Sequence, residues 1–171
     1  MIAMSIVYRK AQPEDAAKLL EYLKAVGSES DNLTFGANGI PLSVEQEAQL
    51  LENMANSEHS ALFIAVDGNE IVANGCIEGS RNPRFRHRCN LAISVRKPYW
   101  GMGIGSGMMK ELLRFAKNAG AELISLEVRS DNERAKALYR KFGFEPYGTF
   151  PHYFKMGNEY FDVDCMTLSL I

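Results

Sequence analysis

The chain is predicted to be an α/β protein, with one mixed sheet and helices on both of its faces. Three observations carry this prediction. Strand patterns lead the chain and then alternate with amphipathic helices, an order that suits a sheet covered on two sides. Residues 123–128 are almost continuously apolar, as expected of a central strand buried on both faces. A strand at 91–95 also runs through a glycine-rich stretch directly into a further helix.

Each element has a local reason. Residues 6–9 alternate and read as a strand. Pro13 suits a first helical turn, and Glu14 and Asp15 suit its dipole. Ala16, Leu19, Leu20 and Leu23 then make one face, and Gly27 is expected to end the helix. Residues 27–42 form a polar loop long enough to be functional. Ser43 and Gln46 make a capping box that opens a helix to about Asn56. Segments 62–66 and 71–77, joined by Asp67-Gly68-Asn69, read as a hairpin. A basic loop at 80–88 leads to a strand at 90–95. The helix after the glycines carries Met109, Leu112, Leu113 and Ala116 on its core face and ends near Gly120. Ser130 and Glu133 form a second capping box. Behind it, Ala135, Leu138, Tyr139 and Phe142 share a face, and Gly143 sits where a terminating glycine belongs. Two more strands are expected near 144–150 and 161–170.

Composition narrows the function classes. The chain has 171 residues, the size of one domain spanning 1–171, and a net charge of −2. That charge offers no general attraction to nucleic acid or to an anionic membrane. The opening MIAMSIVYRK lacks the apolar core of a secretion signal, and no apolar run is long enough to span a bilayer. Cys76, Cys89 and Cys165 are odd in number and lack metal-ligand spacing. They suit reduced thiols in the cytoplasm, and no metal site is expected.

The most informative stretch is VRKPYWGMGIGSGMMK, residues 95–110, with Gly101, Gly103, Gly105 and Gly107 at every second position. Strand, glycine loop and helix together form a grip for phosphate: successive N–H groups converge on an anion, and the helix N-terminus adds partial positive charge. The spacing excludes three familiar grips. A dinucleotide fingerprint fails because its last glycine would be Ser106 or Met108. A P-loop fails because no glycine here precedes a lysine. A nucleophile elbow fails because Ile104 and Met108 flank Ser106 at the glycine positions.

Taken with the second block, LEVRSDNERAKALYRKFGFEPY at 126–147, the stretch resembles the GNAT superfamily of acetyl-CoA-dependent N-acetyltransferases, in its bacterial branch with a Y-W-G-x-G-I-G loop. The family's Q/R-x-x-G-x-G/A motif maps onto residues 100–105. Its N-x-x-A-x-x-L-Y-x-x-x-G-F motif appears as Asn132, Ala135, Leu138, Tyr139, Gly143 and Phe144. Trp100 stands where the family has Gln or Arg. The resemblance implies a mostly antiparallel sheet of about seven strands, two of which splay apart to admit the cofactor.

It also implies direct transfer of acetyl to an amine, with acetyl-CoA as co-substrate. Trp100, Gly101, Met102, Gly103, Ile104, Gly105 and Ser106 would hold the diphosphate, chiefly through backbone, and Asn132 would contact the cofactor. Ile93, Ser94 and Val95 would pair with the pantetheine amides as an added strand. An N–H near Ser94 or Val95 would stabilise the developing oxyanion. Tyr139, a weak acid with a reference pKa of about 10, would protonate the departing thiolate. Many relatives carry a Glu where this chain has Asn90, so Glu78 and His87 become the candidates for the base that deprotonates the amine.

The implied acceptor is a small-molecule amine, with neither nucleic acid nor membrane as partner. A protein N-terminus is the alternative acceptor, and a non-catalytic acyl-CoA sensor is the alternative class. The loop arginines Arg81, Arg84, Arg86 and Arg88 read first as a solvated hairpin loop, and could instead grip a carboxylate or the cofactor's 3′-phosphate. The aromatic stretch at 150–161 could wall the acceptor site or form a homodimer contact. Asp162 and Asp164 could attract a cationic amine.

Overall fold

A computed structural model describes residues 5–171; the first four residues of the N-terminal stretch read above lie outside it. Seven strands form one sheet: β1 (Ile6–Lys10), β2 (Ala61–Asp67), β3 (Glu70–Gly79), β4 (Arg88–Val95), β5 (Leu123–Arg129), β6 (Glu145–Met156) and β7 (Glu159–Ser169). Their order is β1-β2-β3-β4-β5-β7-β6. All neighbours run antiparallel except β4 and β5. Four helices complete the fold: α1 (Ala16–Glu29), α2 (Val44–Ala55), α3 (Ile104–Asn118) and α4 (Glu133–Lys141).

Strand alternation sorts the core into two layers. Phe63 and Ala65 of β2 face a cluster that includes Met108, Leu112 and Ala116 of α3 and Tyr139 of α4. Ile64, between them, faces Leu19, Leu23 and Val26 of α1 and Leu51 of α2. No helix among the described residues is long and apolar enough to cross a membrane.

Helix ends follow local chemistry with two exceptions. Ser43 accepts from the Gln46 N–H, and the Gln46 side chain accepts from the Ser43 N–H, so the first capping box forms as read. The second does not form. Asn132 is the cap of α4, accepting from the Ala135 N–H at 3.2 Å, while the Ser130 hydroxyl turns to Asp164 at 2.7 Å. Likewise, Gly27 does not end α1, which runs on to Glu29. Gly27 is there because the loop passes close by: a Cβ would overlap the Gly36 carbonyl.

That contact decides the sign of a substitution. Alanine in a helix interior gains about 1 kcal/mol over glycine. Against it stands a backbone carbonyl that cannot swing aside, and overpacking typically costs about 1–3 kcal/mol. Gly27→Ala is therefore expected to lower Tm by a few degrees, at about 2–4 °C per kcal/mol for a chain of this size. A thermal melt checks this; an unchanged or raised Tm would show that the loop yields.

Candidate active site

The parallel strands β4 and β5 pair only at Arg88–Leu123, Cys89–Ile124 and Asn90–Ser125, then diverge. β4 stays paired with β3 from Cys89 opposite Gly79 to Val95 opposite Ala73. Bonded and non-bonded pairs alternate along an antiparallel ladder. Because the Arg96 N–H bonds to the Val72 carbonyl, Ala73–Val95 and Gly75–Ile93 are non-bonded pairs. The main-chain groups of Val95 and Ile93 thus point away from β3 into the split. Those of Ser94 point into the ladder. Of the two residues expected to offer an oxyanion N–H, only Val95 has one directed there.

Two cavities meet at this split. One, of about 580 Å³, runs between β3, β4, β5 and the β6–β7 hairpin. The other, of about 470 Å³, runs to the start of α3. Both are lined by Asn32, Leu33, Ile93, Ser94, Asn132, Ala135 and Tyr139.

At the α3 end the four glycines divide into two pairs. Gly101 and Gly103 take φ of 76° and 80°, and a Cβ there would meet nothing; these two shape the backbone. Gly105 and Gly107 serve packing, since a Cβ would press on Leu138 or overlap the Tyr8 ring. Gly103 caps α3 without a side chain, and the Ile104, Gly105 and Ser106 N–H groups find no acceptor among the described residues. Those unpaired donors form an anion cradle. Gly101, Gly103, Ile104, Gly105, Ser106 and Trp100 line the cavity. The Met102 side chain is exposed and lies outside the lining, so any part it takes in the cradle is through its backbone. The Trp100 indole N–H donates to the Val95 carbonyl at 2.8 Å, so the main-chain groups of β4 left open in the split are those of Ile93 and the Val95 N–H.

Tyr139 stands where the cavities join. It is 5 % exposed, and its hydroxyl bonds to no described residue. Burial pushes that hydroxyl above its usual range, so it keeps its proton at neutral pH. Asn132 uses its Oδ1 to cap α4, leaving its amide N–H groups to the cavities. Under the first cavity, the Tyr22 hydroxyl donates to the Ser94 carbonyl at 3.0 Å, and the Ser94 hydroxyl to Asn74. Cys76 lines this cavity too. Burial first, and Glu78 second, push its thiol up to about 12, so it stands there as a neutral thiol rather than a nucleophile.

Neither expected base lines the cavities. Glu78 is one rung beyond Cys76 on the same face of β3, exposed and outside the lining. His87 sits in the exposed basic loop, where its carbonyl accepts the N–H groups of Glu122 and Leu123. The acid that does line the first cavity is Glu127 on β5, and it is the one carboxylate among the described lining residues. Its signal was present in the sequence as a charge interrupting an apolar strand. Alternation places it opposite the buried Leu126 and Val128, on the open face of the sheet. Glu127 raises the Tyr153 hydroxyl, by hydrogen bonding first, so the two side chains are neighbours.

The hairpin supplies the far wall. Its ladder breaks between Phe150 and Phe154, where His152 takes φ 55° and donates its N–H to Asp162 at 2.7 Å. Tyr147, Tyr153 and Phe154 line the cavity, whereas Phe150 and Tyr160 are exposed outside it. Asp162 and Asp164 do not reach it. Asp164 is held by Lys136 at 2.8 Å, which with Ser130 keeps its carboxyl below the usual range. Of the loop arginines, Arg88 alone reaches the lining. Arg129 pins the near wall: it donates to the Asp31 carbonyl at 3.1 Å and lies 4.0 Å from the Phe161 ring centre.

A split parallel pair thus opens onto a cavity that ends at unpaired N–H groups of a helix start. The sequence profile of the acetyltransferase (GNAT) family matches residues 29–144, and the chain belongs to that family. It is 36 % identical over 101 residues to the N-alpha-acetyltransferase RimI of Mycobacterium tuberculosis, covering 58 % of this chain and 61 % of that one. It is 31 % identical over 102 residues to the L-amino acid N-acetyltransferase AaaT of Escherichia coli, covering 59 % and 62 %. The chain thus spans about three-fifths of the length of these relatives. Among solved structures, a GNAT acetyltransferase from Streptococcus pneumoniae superposes with a TM-score of 0.93 at 28 % identity, covering 97 % of this chain and all of that one. A phosphinothricin acetyltransferase from Sinorhizobium meliloti, solved with acetyl-CoA, shares the fold with a TM-score of 0.79 at 20 % identity, covering 98 % and 89 %.

Proposed function

We propose that this chain transfers acetyl from acetyl-CoA to the primary amine of a small molecule. The observation that carries the reading is the split itself: outward-facing main-chain groups on β4, open to two cavities that meet at Tyr139. The donor set fits the co-substrate. Unpaired N–H groups at the start of α3 suit a diphosphate, and the free edge at Ile93 and Val95 suits two amides of a pantetheine arm.

Acetyl-CoA supplies an activated acetyl group, and the chain's residues do the rest. The Val95 N–H polarises a carbonyl oxygen lying in the split. Tyr139 holds a proton at its hydroxyl for the departing sulfur. Glu127, backed by the wall of Tyr147, Tyr153 and Phe154, receives an ammonium group and takes its proton. An acceptor with its own carboxylate also finds Arg88 in the lining of the same cavity, which favours an amino-acid-like amine.

The likeness to RimI favours a second reading, in which the acceptor is a peptide N-terminus. A panel of amines, amino acids and short peptides assayed for release of the CoA thiol separates the two. The first reading holds if free amines turn over and peptides compete poorly. The co-substrate is tested separately by melting. At a hundredfold excess over Kd, acetyl-CoA is expected to stabilise the fold by about 2.7 kcal/mol. No rise in Tm at millimolar acetyl-CoA would overturn the proposal.

A further inference from the structure

Trp100 occupies the position at which the family motif has Gln or Arg, so the usual polar side chain is missing beside the anion cradle. The structure places a cation there from another element. Arg134, in the first turn of α4, lies with its guanidinium carbon 3.6 Å from the centre of the Trp100 ring. Both side chains line the cavity that ends at the unpaired N–H groups of α3. The ring is itself fixed by its N–H bond to Val95.

The surroundings leave this guanidinium's charge unspent. Arg134 forms no hydrogen bond or ion pair with any described residue. The adjacent Glu133 is engaged by Lys136 at 3.0 Å and Arg140 at 3.6 Å instead. Stacking on an aromatic face also holds the planar fork in one orientation, so less freedom is lost when it closes on a phosphoryl group. A planar fork with free donors, beside a backbone anion cradle, matches two oxygens of a diphosphate.

We infer that Arg134, oriented by Trp100, is a ligand of the CoA diphosphate, adding a side-chain fork to the backbone cradle. This rests on the proposed use of CoA, and the experiment keeps the two apart. Trp100 is the only tryptophan of the chain, so its emission reports binding directly, without turnover. Titrations of wild type, Arg134→Ala and Arg134→Lys are run with CoA, with dephospho-CoA, which lacks the 3′-phosphate, and with pantetheine, which lacks all phosphates. Calorimetry supplies a second measure.

The expected result is a roughly 10- to 100-fold loss of affinity in Arg134→Ala for CoA and dephospho-CoA alike, with pantetheine unaffected. Arg134→Lys should recover only part of it, because a point charge lacks the fork. Lys97→Ala, which removes a cation 5.8 Å from the same ring but outside the cavity lining, should bind CoA like wild type. A loss confined to CoA would assign Arg134 to the 3′-phosphate and overturn the diphosphate role. Equal affinity of Arg134→Ala and wild type for all three would overturn the inference outright. Absence of CoA binding in wild type would instead remove the reading beneath it. Melting of the ligand-free variants confirms folding, since Arg134 is an exposed side chain on a helix that accepts Ala.

Discussion

Tyr139→Phe is expected to lower kcat by about 100-fold or more while leaving the Kd for CoA within about threefold of wild type, the loss typical when a positioned proton donor is removed. The split between the two constants follows from the geometry. The ring is packed against Phe144, with centroids 5.9 Å apart, and phenylalanine preserves that contact. The hydroxyl bonds to no described residue, so deleting it leaves no buried partner stranded, and the variant should melt close to wild type. What disappears is the proton held where the two cavities meet. Burial keeps the hydroxyl above the ordinary tyrosine range, so Tyr139 stays protonated across pH 6–9 and contributes no limb to the rate profile there. The profile of the variant should therefore be lower but unchanged in shape. CoA release followed with a thiol reagent measures the rate, and the fluorescence of Trp100 measures the affinity. A variant turning over within threefold of wild type would strip Tyr139 of this role.

Local patterns carried most of the fold. Alternation in β1 to β3, the Ser43–Gln46 box and the apolar faces of α3 and α4 all depend on residues within a turn or two of each other, which makes them readable from one sequence. The misreadings share one cause, a partner outside the turn or two of chain that a local pattern covers. Gly27 reads locally as a stop, yet it serves an approach by Gly36. Ser130 reads as a cap, yet its hydroxyl is drawn to Asp164, across 34 positions. Gly105 and Gly107 read like Gly101 and Gly103, and only the contacts with Leu138 and Tyr8 separate packing from curling. The site divided in the same way. The glycine loop, Asn132 and Tyr139 stand in motifs and could be named. Glu127 stands in none, and its significance depends on β4 and β5 diverging after Asn90–Ser125, which no local pattern records. Glu78 drew notice at a strand end and His87 beside Asn90; neither lines the cavities, although Glu78 pairs with Asn90 across β3 and β4 and shares the face of Cys76.

Glu127→Gln carries the second large expected effect, a loss of about 100-fold in kcat/KM for the amine at pH 7 with CoA affinity unchanged. Glutamine keeps the volume and a hydrogen-bond acceptor, so the variant isolates charge and basicity from packing. A primary amine with a pKa near that of lysine, about 10.4, is almost wholly ammonium at pH 7 and has no lone pair with which to attack. An enzyme lacking the carboxylate must wait for the rare neutral amine. The ratio of wild type to variant should accordingly shrink as pH rises toward 9.5, where more of the acceptor arrives already deprotonated. A group that only shaped the cavity would give a ratio independent of pH, so the slope separates proton removal from positioning. Glu78→Gln and His87→Ala provide the comparison: both side chains lie outside the cavity lining, and each variant should keep kcat/KM within about twofold of wild type, the range expected of surface changes. If Glu78→Gln lost activity with the falling ratio described here and Glu127→Gln did not, the base would be on β3 and the acceptor would have to enter one rung further along the sheet.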